Sequence, residues 1–221
     1  LYYAGANSGD IGGPYVKIKK LKNLFPEFKF QFNVIYTLSN APNISSKTLN
    51  LIKRRKLPLL LNQNGVFYPA WYQGDWEKQN LIMSKIYHAS DYVLWQSRFC
   101  KKASDYFLGK RSGKGEILYN AVDTKKFFPK KNNVGKIFRL LITGNFSKQN
   151  NYRIQIVLES IKEIIKVNKY IHLYIAGYIE DKDFFLVEIE RLNIKNYVTF
   201  LGTYSQKNAP LIYQKADLYI T

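Results

Sequence analysis

Short apolar runs alternate with amphipathic segments of helical period along this chain, and that alternation constrains the fold more than any other feature. The stretch that shows it best begins with an apolar run at residues 138–143 and continues with a helical stripe at Val157, Ile161 and Ile164. A second apolar run follows at residues 171–176. Strands that alternate with helices in this way are typical of parallel sheets covered by helices. The sequence therefore predicts an α/β fold.

The same pattern places the elements along the chain. Strands are predicted at residues 1–6, 32–38, 57–61, 92–95, 116–119, 138–143, 171–176, 198–201 and from Leu218 onward. Helices are predicted from Pro14 and over residues 45–56, 79–89, 97–109, 154–167, 183–193 and 209–216. Pro14 suits a first helical turn, Ser45 or Ser46 suits the N-cap of the helix that runs to Lys56, and Ser97 suits the N-cap of a later one. In the helix after Ser97 the side chains expected to face inward are Phe99, Ala103 and Phe107.

The pattern breaks once, near the middle of the chain. Phe127, Phe128 and Pro129 are followed by a polar, lysine-containing run over residues 130–135, which is typical of a linker. This break predicts two domains, residues 1–130 and 131–221. The last predicted strand starts at Leu218 and reaches the end of the chain. Because a parallel sheet is normally covered on both faces, we expect the second domain to be incomplete.

Residue composition limits the chemistry available. The 221 residues include one cysteine, Cys100, and two histidines, His88 and His172, so neither an intramolecular disulfide nor a zinc site of ordinary ligand count is expected. No stretch has the apolar length of a membrane span, and the first residues form a strand pattern and not a signal peptide. We expect a reducing, cytoplasmic environment.

Positive charge is abundant and uneven. The formal net charge is +18, and residues 1–130 hold 21 Lys and Arg against 8 Asp and Glu. A basic first half suits an anionic partner, which leaves nucleic acid, a phosphorylated substrate or an acidic membrane face open. A lysine-rich solvated surface without a partner explains the same charge equally well.

Glycines follow several of the predicted strands. Gly12 and Gly13, Gly144, and Gly177 each stand where a strand is expected to give way to a loop and then a helix. Helix N-termini suit phosphate groups, so such loops are candidate phosphate sites. A glycine required by a tight turn explains each of them as well.

Taken in order, the motifs resemble a known family. They are Gly12-Gly13-Pro14, Gln96-Ser97-Arg98-Phe99, Asn120-Ala121-Val122-Asp123 before Phe128-Pro129, the strand that ends at Gly144, the strand that ends at Gly177, and Phe200-Leu201-Gly202 before Ala216-Asp217. This series resembles the retaining GT-B glycosyltransferases of family 4 over nearly the whole chain. The stretch at Asn120 and the spacing from Phe200 to Asp217 are its most specific parts.

The resemblance implies two Rossmann-like domains that face each other across a cleft. The first would hold a hydroxyl acceptor, a glycan or a lipid-linked glycan, and the second a nucleotide-diphosphate sugar. The implied reaction transfers a hexose-type sugar with retention, as a metal-independent process without a cofactor. A basic first domain would allow contact with the anionic inner face of a membrane, and nucleic acid is not an expected partner.

The resemblance also implies site residues. In the donor domain they are Gly144, Asn145, Lys148, Arg153 and Gly177. Asn145 stands where the family has an arginine that contacts the diphosphate, so Lys148 or Arg153 is expected to take that role. On the acceptor side they are Gly12, Gly13, Asn64 and Asn120.

Two further departures from the family pattern affect catalysis. Asn62, Gln63 and Asn64 stand where many members carry a histidine, and amides can hydrogen-bond a sugar hydroxyl but cannot act as a general base. The family's pair of glutamates would lie beyond Thr221, so this chain by itself is expected to bind a donor poorly and to be inactive. A pseudoenzyme or regulatory subunit on the same fold, and a basic nucleic-acid-binding module, are the alternative functions.

Two local patterns have a structural and a functional interpretation. Tyr68, Trp71, Tyr72 and Trp76 form an aromatic loop that can stack on a sugar, form an interface or be buried. The Asp181-Lys182-Asp183 pair resembles a metal-nucleotide site, but acids at a helix start also stabilise the helix dipole, and we favour that interpretation.

Overall fold

Two parallel sheets form in the structure, in agreement with the predicted α/β fold. The computed structural model describes residues 1–4, 6–10, 12–39, 44–129 and 135–220. The chain divides into two units, Leu1–Ala121 and Val122–Thr221. Each unit contains one four-stranded parallel sheet with helices between successive strands.

The first unit contains four helices and four strands within the described ranges. In chain order they are α1 (Gly13–Leu24), β1 (Ile35–Leu38), α2 (Ser46–Arg54), β2 (Leu59–Gln63), α3 (Trp76–Ala89), β3 (Tyr92–Trp95), α4 (Arg98–Phe107) and β4 (Lys114–Ile117). The strands lie in the order β1-β2-β3-β4. All three pairings are parallel, so the carboxyl ends of the strands meet at one edge of the sheet.

The predicted strand at residues 1–6 is reduced to a single bridge. The Tyr2 N–H donates to Val34 O, and the Tyr36 N–H donates to Tyr2 O, which pairs Tyr2 with β1 in parallel. The chain then turns, because Ala4 has a φ of 44° and the Ala6 N–H donates back to Tyr3 O. A left-handed residue cannot continue an extended strand, and the prediction was wrong beyond Tyr2.

Helix starts in the first unit follow the predicted capping residues. Ser45 Oγ accepts the Thr48 N–H at the start of α2, and Ser97 Oγ accepts the Cys100 N–H at the start of α4. The inward face of α4 agrees with the prediction at Ala103 and Phe107, which pack against the core, but not at Phe99. Cys100 and Ser104 are buried on it, while Phe99 is 78% exposed. Phe99 precedes the buried Cys100 by one position, and at the border of the buried face one position decides whether a side chain lies in the core or in solvent.

The second unit contains three helices and four strands among its described residues. They are β5 (Phe138–Phe146), α5 (Tyr152–Ile164), β6 (Ile171–Ile179), α6 (Lys182–Arg191), β7 (Val198–Gly202), α7 (Ala209–Tyr213) and β8 (Leu218–Ile220), with short 3-10 helices at Lys148–Asn150 and Lys195–Tyr197. The strand order is β7-β6-β5-β8, again with parallel pairs.

The core of the second unit lies between its sheet and helices α5 and α6. Ile154, Leu158 and Ile161 from α5 are fully buried, and Phe185 and Ile189 from α6 lie in the same cluster. Full burial of a side chain of this size contributes about 1.5–3 kcal/mol. The helical stripe read from the sequence is therefore the contact face of α5, as predicted.

An ion pair joins the last strand of the second unit to its first. The Arg139 guanidinium donates to both carboxylate oxygens of Asp217, at 3.1 Å each, and the Arg139 N–H donates to the same carboxylate at 2.8 Å. These hydrogen bonds hold the pKa of Asp217 below its usual range. The pair fixes the point where β8 starts to run beside β5.

The boundary between the units lies nine residues before the predicted one, between Ala121 and Val122 instead of 130 and 131. Residues after Ala121 pack within the second unit: the Phe127 ring lies 6.0 Å from that of Tyr213, and Gln214 Nε2 donates to Phe128 O. The linker predicted at residues 130–135 lies outside the described residues, apart from Gly135.

Gly177 provides a test of the second sheet. It has a φ of 121°, and a Cβ there would overlap the carbonyl of Gly144 on the neighbouring strand. We expect Gly177→Ala to lower the free energy of unfolding by ~2 kcal/mol or more, because strain and overlap add. Urea and thermal unfolding measure this. The control is Gly135→Ala, where a Cβ meets nothing within 4 Å; equal stability of the two variants would contradict the geometry.

Candidate functional site

The predicted donor-side glycines lie inside paired strands and not in loops. β5 and β6 continue beyond their predicted ends, and Gly144 pairs with Gly177, Asn145 with Tyr178 and Phe146 with Ile179. Because glycine has no side chain, β6 can lie close to β5 at Gly177, where a Cβ would occupy the space of the Gly144 carbonyl. The prediction that these two glycines stand in loops was therefore wrong, whereas their part in a donor site stays a prediction. Their role in the structure is strand pairing.

The candidate basic residues follow β5 directly. Lys148 opens the 3-10 helix, with an exposed side chain, and its N–H donates to Glu180 Oε2 at 3.0 Å. Asn145, where the family has its arginine, is exposed at the end of β5, and its carbonyl accepts a hydrogen bond from Asn150 Nδ2. Lys148 is thus held by its backbone, and no ion pair in the described part of the chain involves its side chain.

Arg153 is the more constrained of the two bases. It lies in the first turn of α5, half-buried, with its guanidinium 5.5 Å from the centre of the buried Phe146 ring. A guanidinium over an aromatic face is attracted electrostatically and held in place. Among the described residues Arg153 has no ion-pair partner, so its charge remains available to an anion.

The polar side chains beside these bases differ in whether they stabilise the fold. Asp181 caps α6 by accepting the Phe184 N–H, so the pair that it forms with Asp183 marks a helix start, as predicted. Asn150 Oδ1 and Asn151 Oδ1 are buried and lack a hydrogen-bond partner in the structure. Unsatisfied buried oxygens are rare, and they stand here where the chain passes from β5 to α5.

In the first unit, Gly12 and Gly13 begin α1. Gly12 is the N-cap with a φ of 90°, a conformation that favours glycine, and Pro14 follows in the first helical turn. A Cβ on Gly12 would lie 3.2 Å from the Tyr15 ring, whereas one on Gly13 meets nothing within 4 Å. Backbone conformation accounts for Gly12, and only Gly13 leaves open space above the helix start.

The amides at the end of β2 have different surroundings. Asn62 and Gln63 are buried strand residues and not loop residues as predicted, because β2 extends to Gln63. Asn64 follows the strand; its N–H donates to Ser39 Oγ at 3.0 Å, and its Oδ1 accepts from Gln96 Nε2. Residues that follow β1, β2 and β3 are thereby joined at the carboxyl edge of the sheet.

A cavity of about 580 Å³ opens at this edge, next to Asn64. Its walls are largely aromatic, and the rings of Phe67 and Trp71 are stacked at 5.1 Å. Asn80 fixes this wall, because its amide accepts the Phe67 N–H and donates to the Phe67 carbonyl. The Trp71 indole donates to Val66 O. Part of the aromatic loop is therefore a rigid cavity wall.

Asn120 belongs to a different cavity of about 470 Å³, on the sheet face under α1. Lys17 and Asn62 also line it, and Lys17 Nζ donates to Asn62 Oδ1 at 3.1 Å. The predicted acceptor residues thus do not converge: Asn64 and Asn120 line separate cavities. Lys17, Ser39, Asn80 and Gln96 were not predicted. A signal was present for Gln96, which belongs to one of the motifs that carry the resemblance, and for Lys17, a charged residue next to the buried Ile18 of α1.

Two global properties bear on the chemistry. Within the described ranges, none of the helices combines the length and apolar character that crossing a bilayer requires. The same residues contain no cluster of three or more His, Cys, Asp and Glu side chains placed to hold a metal ion.

Comparison with known proteins identifies the fold. Residues 123–221 match the family model of glycosyl transferases group 1. The structure is similar to that of HepE from Anabaena in complex with UDP and glucose, with 16% identity and a TM-score of 0.63 over 85% of this chain and 52% of HepE. It is similar to sucrose-phosphate synthase from Thermosynechococcus elongatus, with 15% identity and a TM-score of 0.63 over 99% and 63% of the two chains.

A glycosyltransferase from Rickettsia africae is similar at 16% identity, with a TM-score of 0.60 over 97% of this chain and 57% of that one. The chain therefore spans between 52% and 63% of the length of these three proteins. No curated protein sequence matches it. The predicted GT-B fold and the resemblance to these glycosyltransferases are confirmed.

The aromatic wall can be tested through Asn80. Asn80→Leu leaves the Phe67 N–H and carbonyl without partners, at about 1–3 kcal/mol for each unsatisfied group. We expect lower stability together with a red-shifted tryptophan emission and easier acrylamide quenching, since Trp71 loses its rigid neighbour. Lys85→Leu, at an exposed position of α3, is the control. Unchanged quenching in Asn80→Leu would show that the wall does not depend on this amide.

Proposed function

We propose that this protein, whose residues 123–221 match glycosyl transferases group 1, moves a sugar from a nucleotide-diphosphate sugar to a hydroxyl group of a glycan or lipid-linked glycan. The family match over the second unit carries the proposal. The UDP and glucose bound by HepE support a nucleotide-sugar donor of hexose type. Retention of the anomeric configuration is proposed from the family resemblance.

The second unit would bind the donor through its basic residues. Transfer leaves a nucleoside diphosphate whose negative charge increases as the sugar departs, and preorganised positive groups stabilise that charge. We propose Arg153 for this role, and its position over Phe146 without an acidic partner among the described residues supports the proposal. Lys148, with a free and exposed side chain, would add a second positive charge. We propose that these bases act without a metal ion.

The first unit would bind the acceptor at the carboxyl edge of its sheet. The cavity beside Asn64 joins an amide-lined floor to an aromatic wall, a combination suited to sugar rings, which have apolar faces and polar edges. Asn64 and Gln96 can donate and accept hydrogen bonds but cannot take up a proton. Their proposed role is to orient the acceptor, not to act as its general base.

The donor site is tested with the protein expressed from its complete gene. Calorimetry against UDP, GDP and ADP sugars should detect binding to at least one, and nucleotide release should follow when an acceptor is present. Arg153→Met should weaken donor binding about tenfold or more, because a charge-assisted contact contributes about 1.5–3 kcal/mol. Lys162→Met, an exposed position in the last turn of α5, is the matched control, and Lys148→Met shows which base dominates.

The outcomes separate the alternatives. Donor binding without transfer to any acceptor would indicate a regulatory subunit or pseudoenzyme. No donor binding, together with a salt-dependent gel shift of RNA or DNA, would indicate a nucleic-acid-binding module. Equal donor affinity in Arg153→Met and Lys162→Met would remove Arg153 from the site.

We also propose that the protein is cytoplasmic and contacts the anionic inner face of a membrane. The segment that follows α1 supports this. Phe25, Phe28 and Phe30 are exposed, Phe30 by 95%, and Lys20 and Lys29 beside them form no ion pair in the described structure. Aromatic side chains interleaved with lysines suit the interface of an anionic bilayer.

The one acid in this segment, Glu27, faces inward. Its carboxylate accepts hydrogen bonds from the Tyr3 N–H and from Lys22 Nζ. Partial burial would raise the pKa of Glu27, but these hydrogen bonds outweigh it and hold the pKa below its ordinary value. The segment is thereby anchored to the first unit with only apolar and basic groups outward.

Flotation with vesicles tests the membrane contact. The double variant Phe28→Ser, Phe30→Ser should reduce retention on phosphatidylglycerol vesicles at least about tenfold, since each ring contributes about 1.5–3 kcal/mol when fully buried. Phe184→Ser, Val187→Ser, two exposed apolar positions on α6, is the control. Equal retention of the two double variants, or no retention of the unmodified protein at low salt, would refute the contact without affecting the donor proposal.

A further inference from the structure

Lys17 differs from the other lysines of α1 that have polar contacts. Lys19 and Lys22 form ion pairs of 2.7 Å with Asp10 and Glu27. Lys17 lies further inside, on the apolar face of the helix, and its one hydrogen bond in the described structure goes to Asn62 Oδ1. Its ammonium group is thus half-buried without a carboxylate beside it.

This arrangement leaves the ammonium group incompletely satisfied. An ammonium has three N–H donors, and a single amide oxygen accepts one of them. Burial disfavours the charged form and lowers the pKa of Lys17. A lysine in this position is destabilising unless another group supplies negative charge, and an oxyanion would supply both the charge and the missing acceptors.

The surrounding cavity limits what that oxyanion is attached to. Lys17 is the single charged side chain among the described residues that line its 470 Å³. The walls are mostly apolar and come from the sheet face and from α1, with Leu60, Leu94 and Leu118 on the sheet side. A group that enters beside Lys17 therefore meets one positive charge and then a hydrocarbon surface.

We propose that this cavity binds the acidic group of an amphiphilic acceptor, a phosphate ester or carboxylate attached to an apolar chain, through Lys17 Nζ. Asn62 acts as the positioning residue, since its Oδ1 holds the ammonium group at the cavity wall. The inference rests on the proposed glycosyltransferase function only where it identifies the bound anion as the sugar acceptor. The binding of an amphiphilic anion stands on the cavity and on Lys17 themselves.

The cavity volume agrees with this class of ligand. Small-molecule sites usually enclose about 300–1,000 Å³ and combine apolar walls with few polar groups that set orientation. The alternative source of an oxyanion is the diphosphate of the donor. A nucleoside diphosphate is polar along its whole length and would leave the leucine surface without a ligand, so the apolar lining favours the acceptor.

The test measures binding of decyl phosphate, below its critical micelle concentration, to the protein expressed from its complete gene. Lys17→Met keeps the length and helix propensity of the side chain but removes its charge. It should weaken decyl phosphate binding about tenfold or more, and the same change in Lys85→Met, at an exposed position of α3, should have no effect. Binding of the neutral decyl maltoside should be equal in both variants.

A second readout identifies the source of the anion. If Lys17 serves the acceptor, UDP affinity is unchanged in Lys17→Met. A loss of UDP affinity with decyl phosphate binding intact would assign Lys17 to the donor and overturn the proposal, as would equal decyl phosphate affinity in the two lysine variants. If no nucleotide sugar binds the unmodified protein, the proposed function fails, and the decyl phosphate comparison still decides the site.

Stability separates binding from a structural role. Because Lys17→Met replaces a half-buried charge with an apolar side chain, we expect its thermal midpoint to equal or exceed that of the unmodified protein. A lower midpoint would mean that Lys17 supports the fold, which contradicts the inference. Leu94→Phe, which fills the cavity from the sheet side and leaves Lys17 in place, should also reduce decyl phosphate binding.

Discussion

The close approach of β5 and β6 at Gly144 and Gly177 governs the second unit. Because Gly177 has no side chain, the two strands stay paired as far as Phe146 and Ile179. This brings Phe146 into the core at the end of β5, where its ring receives the guanidinium of Arg153. A strand that ended earlier would leave that guanidinium without its support. The position of the candidate diphosphate contact thus depends on the backbone geometry of a glycine on the neighbouring strand.

In the first unit, the ends of the parallel strands are connected by side chains and not by continued strand pairing. Its strands also end at one edge, but here hydrogen bonds between side chains join the ends. Ser39, Asn64 and Gln96 link the ends of three strands, and Asn80 holds the aromatic wall beside them. Most of these polar groups satisfy one another, so a ligand in that cavity meets a preorganised surface. Lys17 is the exception, because no carboxylate of the described residues forms an ion pair with its ammonium group.

The fold could largely be read from the sequence, whereas the site could be read only in part. The apolar stripe of α5 and the serine caps of α2 and α4 were predicted because they depend on neighbours in the sequence. The placement of Gly144 and Gly177 in loops was predicted wrongly, because a glycine before a loop and a glycine required by an adjacent strand look the same in sequence. Phe99 was placed inward because the helical period locates an apolar face with an error of about one residue.

The sequence by itself determined the order of strands and helices, the two parallel sheets and the resemblance of the second unit to glycosyltransferases. Those features depend on periodicity, caps and local motifs, which act over a few residues. The tertiary structure alone decided that Lys17 meets Asn62 from 45 positions away, that Asn64 and Asn120 line separate cavities, and that Phe127 packs within the second unit. Contacts of this kind depend on which strands lie side by side, and the energy of strand pairing is set by packing against the whole sheet.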